Sequence, residues 1–197
     1  LLAAVMLALL LGLQPWTTDL MLPALPLLAS DLAAPMAPVQ LTMSALILAF
    51  GVAQLAWGPL ADRLGRRPVL LTGLTLYALA SVGAALASGV QQVVWWRIVQ
   101  GAAMSVPVVC GGAMVRDLYE PHEGALVMTR ALAGLGLIAI ASPIVGGLLA
   151  KLFGWRAELL AMALGGAGLA ALVALRWPET IRQRRSDATR VGPLARQ

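Results

Sequence analysis

Charge is what this chain has least of. Only 12% of its 197 residues are Asp, Glu, Lys or Arg, about half the share usual in a soluble domain. No charged residue occurs between Leu32 and Ala61, and none between Pro68 and Trp96. Such runs exclude an ordinary water-soluble fold, because each is long enough to cross a bilayer, which takes about 20 apolar residues. The single cysteine, Cys110, cannot form a disulfide within the chain, and in its apolar run it reads as a small buried hydrophobe. The single histidine, His122, lies in a polar stretch with Glu120 and Glu123. A lone imidazole without companions is expected to be solvated rather than to hold a metal. His and carboxylate residues do not cluster at membrane depth, so neither an enzyme nor a metal or cofactor is expected. The chain also opens without Met and without a basic segment, and no small-residue cleavage site precedes Asp19. A cleaved signal peptide is therefore not expected, and the natural start is expected upstream.

What is present is apolar. Hydrophobic residues make up 60% of the chain and the mean hydropathy is +0.85. Lipid cannot satisfy open backbone groups, so the expected elements are membrane helices. Six segments follow: about Leu1–Leu28, Gln40–Ala61, Pro68–Ser88, Val93–Val115, Ala125–Leu149 and Leu159–Leu175. The first carries Asp19, Pro23 and Pro26 near its far end, which predicts a kinked helix beside a wet cavity. Lys151–Glu158 reads as a short loop, and residues 177–197 as a polar, basic tail beyond a six-helix unit spanning residues 1–176.

The stretch Gly58–Pro68 organises the topology as a charged turn between two apolar runs. With that turn on the inner face, the inner side holds Arg63, Arg66, Arg67, Arg116, Arg130, Arg176 and the five arginines beyond residue 176. The outer side holds only Lys151 and Arg156. The positive-inside bias then puts both termini in the cytoplasm and accounts for the net charge of +5 without nucleic acid. The tail has the composition to touch anionic lipid. There is also an internal repeat: residues 60–71 lie on residues 149–160 with six identities, on opposite membrane faces. Two three-helix units of inverted topology would produce that arrangement.

Several motifs resemble one family. Gly58 to Arg67 is similar, without a gap, to the Gly-x-Leu-Ala-Asp-Arg-x-Gly-Arg-Arg loop between helices two and three of the major facilitator superfamily. Asp19, Pro23 and Pro26 resemble the Asp-x-x-x-Pro-x-x-Pro of drug:proton antiporters, and Arg97, Gln100 and Gly101 the family's Arg-x-x-Gln-Gly. Pro143, Gly146 and Gly147 are similar to the antiporter motif of helix five, with Ser142 in place of a usual Gly and Ile138 where another Gly is common. Arg116–Tyr119 and Gly154–Arg156 look most like the bicyclomycin/chloramphenicol-resistance branch. The resemblance covers nearly the whole chain, but six segments stand where the family has twelve.

The resemblance implies an all-α membrane protein, the N-terminal half of a proton-coupled multidrug efflux antiporter in a bacterial inner membrane. Its partners would be small amphipathic substrates, protons, the bilayer and a missing C-terminal six-helix half. Asp19, Arg97 and Gln100 would serve proton coupling and the substrate cavity. Gly58, Asp62, Arg63, Gly65, Arg66 and Arg67 would form a conformational latch. Each has a plainer rival: Asp19 capping a helix or sitting in a water-filled vestibule, Arg97 snorkelling beside Trp95 and Trp96, the arginine loop serving topology alone, and the helix-five glycines serving packing. At the level of function the rivals are a non-transporting or truncated membrane protein, or a transporter of a small metabolite.

Overall fold

The computed structural model describes residues 2–176; the basic tail expected at 177–197 lies outside them. Every regular element among the described residues is helical: α1 (Leu2–Asp19), a 3-10 turn (Leu22–Ala24), α2 (Leu25–Asp31), α3 (Met36–Leu64), α4 (Arg66–Ala85), α5 (Val90–Leu118), α6 (Pro121–Phe153) and α7 (Trp155–Arg176). Counting α1 through α2 as one broken segment, six spans are long and apolar enough to cross a membrane. The break in the first span falls at Pro23, whose missing N–H ends the α-helical ladder, while Pro15 is carried inside α1.

The helices run further than their apolar stretches. The charged stretch Gly58–Pro68 is no open turn: α3 continues through Pro59 to Leu64, and α4 starts at Arg66. Lys151–Glu158 is likewise helical except for Gly154, and only Tyr119 and Glu120 part α5 from α6. At 1.5 Å per residue, the 29 residues of α3 and the 33 of α6 are about 44 and 50 Å long, against about 30 Å of hydrocarbon. Charged residues end the apolar window without ending the helix, because in the headgroup region both backbone and side chain can still be solvated.

The two halves repeat one another in detail. Gly65 (φ 103) and Gly154 (φ 81) are each the one residue between consecutive helices, in a backbone region that side chains avoid. The Gly65 N–H donates to the Ala61 carbonyl at 3.1 Å, and the Gly154 N–H to the Ala150 carbonyl at 3.0 Å. Two residues on, Arg67 of α4 donates to the Ala174 carbonyl near the end of α7, and Arg156 of α7 donates to the Ala87 carbonyl just past α4. The aligned arginines strap the antiparallel α4–α7 pair at both ends. With α1, α3 and α4 laid on α5, α6 and α7, the main contacts α3–α5 and α1–α6 also exchange.

Backbones touch at both of those crossings. A methyl group on Gly101 of α5 would overlap the Leu46 carbonyl of α3, and one on Gly146 of α6 would overlap the Leu20 carbonyl beyond α1. Small residues at membrane helix crossings allow this approach. The core is built from α1, α4, α5 and α7, whereas α3 and α6 show broad apolar faces that include Leu48, Leu55, Leu137 and Ile140.

Candidate functional site

A connected polar cluster lies where α1, α4, α5 and α7 meet. Arg97 is in the second turn of α5, about 10 Å from the helix start at 1.5 Å per residue. Its side chain is fully enclosed by the bundle. The Arg97 Nη1 donates to the Gln100 Oε1 at 2.9 Å, and the Gln100 Nε2 donates to the Ser81 Oγ of α4 at 2.7 Å. Ser81 in turn donates to the Tyr77 carbonyl at 2.8 Å. The Tyr77 hydroxyl and the Thr17 Oγ1 of α1 are 2.6 Å apart, and Thr17 donates to the Leu13 carbonyl at 2.6 Å. The Met162 sulfur of α7 closes the cluster, 3.9 Å from the Arg97 Nη1 and 3.6 Å from the Gln100 Nε2. Spacing explains the geometry: Arg97, Gln100 and Gly101 share one face of α5, and Gly101 brings that helix against α3.

Glu158 is the member that the sequence reading left in a loop. It lies in the first turn of α7, one turn before Met162 and on the same face. Its side chain is fully buried, and both carboxylate oxygens lack a hydrogen-bond donor. Arg97 keeps two unused donors, Nε and Nη2. Arg97 and Glu158 are close enough to act on each other electrostatically, but no ion pair joins them. Arg97 therefore faces the bundle interior rather than an open cavity wall, and it does not snorkel. Trp95 is exposed as an interfacial belt residue would be, while Trp96 packs over Gly83.

The other candidate residues are spread over three places. Asp19 ends α1 part-exposed beside the Pro23 break, and it accepts a hydrogen bond from the Thr18 hydroxyl at 2.8 Å. It makes no ion pair with Arg97. At the α3–α4 end, Arg66 pairs with Asp62 at 3.2 Å and donates to Asp117 of α5 at 2.6 Å. Asp62 and Arg63 are exposed, and Gly58 has open space around it. In α6, Pro143 is exposed inside an unbroken helix, Gly146 meets Leu20, and Gly147 lies near Pro23. Ile138 is accommodated by Gly12 of α1, where any larger residue would overlap it. Cys110 is buried and His122 exposed, as expected.

At the opposite end of α4, Asp31 of α2 accepts from the Trp155 Nε1 at 2.9 Å and from the Arg156 Nη1 at 2.5 Å. The Arg156 guanidinium lies 4.3 Å above the Trp155 ring, a cation–π contact. Tyr77, Ser81 and Thr17 gave no advance signal, since hydroxyls are common in membrane helices. Glu158 did have one: in the internal repeat it lies on Val69, a buried core residue.

Comparison with known proteins places this geometry in a family. The Major Facilitator Superfamily profile matches residues 7–195. The "Chloramphenicol resistance protein" of Pseudomonas aeruginosa is 38% identical over 167 residues, 84% of this chain and 40% of that protein. The "Bicyclomycin resistance protein homolog" of Haemophilus influenzae is 33% identical over 184 residues, 93% of this chain and 46% of that protein. "Multidrug resistance protein D" of Escherichia coli is 34% identical over 177 residues, 89% of this chain and 44% of that protein. A solved D-xylose–proton symporter superposes with a TM-score of 0.79 at 17% identity, over 96% of this chain and 50% of that one. The chain spans under half the length of these curated relatives. It belongs to the Major Facilitator Superfamily and is a multi-pass membrane protein with six membrane-length helices.

Proposed function

We propose that the chain is the N-terminal half of a proton-coupled antiporter that exports amphipathic antibiotics across a bacterial inner membrane. The observation that carries the reading is the Arg97 cluster: a guanidinium enclosed at membrane depth, where an ionisable group is costly and marks an ion or substrate pathway by default. The resistance proteins similar to this chain supply the substrate class. The arginines crowded at the α3–α4 and α5–α6 ends support cytoplasmic placement of those ends, and with them of both termini.

A second six-helix half completes the transporter. It covers the apolar faces of α3 and α6, and the two halves rock about a midplane site in alternating access. The Asp62–Arg66–Asp117 network at the cytoplasmic end holds one of the two states, and breaking contacts to it releases the other. Asp19, part-exposed at the helix break, is the coupling carboxylate that meets proton and substrate in turn.

The test is resistance in a drug-hypersensitive bacterium expressing this chain together with its second half. Growth in chloramphenicol or bicyclomycin is expected, and Asp19→Asn abolishes it while membrane insertion stays normal. Full resistance from the Asn variant contradicts the coupling role of Asp19. Sensitivity of cells with the intact protein to every amphipathic drug tried contradicts the export reading.

A further inference from the structure

We infer that Glu158 is a proton-binding site within the six-helix unit, reversibly exchanging a proton against an ion pair with Arg97. The inference stands on burial and on unpartnered polar groups, and it does not need the transport reading.

Two oxygens fully removed from solvent and without donors lie one helical turn before Met162, whose sulfur is 3.9 Å from the Arg97 Nη1, and Arg97 has two unused N–H donors. An ionised carboxylate left that way carries a large desolvation cost. Two events remove the cost. In one, the carboxylate meets the Arg97 Nε and Nη2 in a charge-assisted pair. Alternatively one proton binds a carboxylate oxygen, leaving a neutral acid and Arg97 as the one charge. The cluster then gains one positive charge and no bond other than O–H changes.

The fold itself does not require a carboxylate there. The repeat-related position is Val69, also buried, in a helix start where Arg67, Leu70 and Leu71 recur as Arg156, Leu159 and Leu160. The surroundings isolate the pair. Arg97 comes from α5, α4 offers the Tyr77 hydroxyl, and α1 the non-titrating Thr17. Asp31 of α2 is occupied by Trp155 and Arg156, and Lys151 of α6 is exposed at its helix end. Glu158 is three residues into α7, about 5 Å from the helix start, so a proton reaches it from that end.

The test uses the chain in lipid bilayers and infrared difference spectra taken across a pH titration. A carboxylic-acid C=O stretch at the high frequency of a dry site should grow in as pH falls. It should be lost in Glu158→Gln and kept in Asp19→Asn. Arg97→Gln should shift its midpoint, since the cation that acts on the carboxyl is gone. Should Glu158→Gln fail to fold, carboxyl-labelled glutamate in the unmutated chain should shift the same band. A dry-site band that survives Glu158→Gln, an unshifted band in the labelled chain, or no titrating band at any pH overturns the inference.

Discussion

The two three-helix repeats share their links and differ in their packing. Gly65 and Gly154, Ala61 and Ala150, and Arg67 and Arg156 occupy matched places and make matched bonds. The helix pairs α4–α5 and α7–α1 should match as well, and they do not. Along α4–α5, Gly73 receives Val106 and Gly83 receives Trp96, so the interface is closed. Along α7–α1, Gly168 has open space and Gly165 meets only the edge of Trp16. A cavity of about 410 Å³ opens there, walled by α1, α6 and α7. Shared links set the topology, while divergence sets where the unit is rigid and where a charge is buried. One repeat buries Val69 where the other buries Glu158.

Erasing that last difference should have the largest effect. At a pH where Glu158 is ionised, Glu158→Val leaves Arg97 buried without the acid that acts on it electrostatically and should cost about 3–5 kcal/mol of stability. Adding Arg97→Met should recover most of the loss, so a thermal-unfolding double-mutant cycle should return a large coupling; additivity would mean that the two side chains do not interact. Next, Gly73→Ala should cost about 1–3 kcal/mol, because the methyl group would meet the branched Val106 side chain. Gly168→Ala should be neutral or stabilising by up to about 1 kcal/mol, the usual gain in a helix interior. Equal losses at the two sites would show that the α7–α1 interface is closed after all. Alanine at Gly65 or Gly154 should cost about 1–3 kcal/mol at either link, since both lie in glycine's backbone region. The smallest effect belongs to Arg156→Ala, a slight fall in thermal midpoint, because its pair with Asp31 is solvent-exposed.

Apolar runs and arginines made the number of spans and the repeat legible from residues alone. The helix ends were not, because hydropathy reports the hydrocarbon slab and the helices outrun it. Arg97 and Gln100 could be placed on one face by their spacing. Which way that face turned could not, since enclosure depends on α4 and α7, far away in sequence. Glu158 was misplaced for a similar reason: a charge near Lys151 and Arg156 looks solvated until Gly154 is seen to be the entire link. Asp19 was read as lying near Arg97; it accepts a hydrogen bond from Thr18 and forms no ion pair with Arg97.

The most direct test of the account is proton movement in everted membrane vesicles carrying this chain and its second half. After a proton gradient is established across the vesicle membrane, chloramphenicol or a similar amphipathic drug is added and the internal pH is followed with a fluorescent dye. Drug-dependent discharge of the gradient, lost in Asp19→Asn, is the predicted result. Drug uptake that leaves the gradient untouched would contradict it.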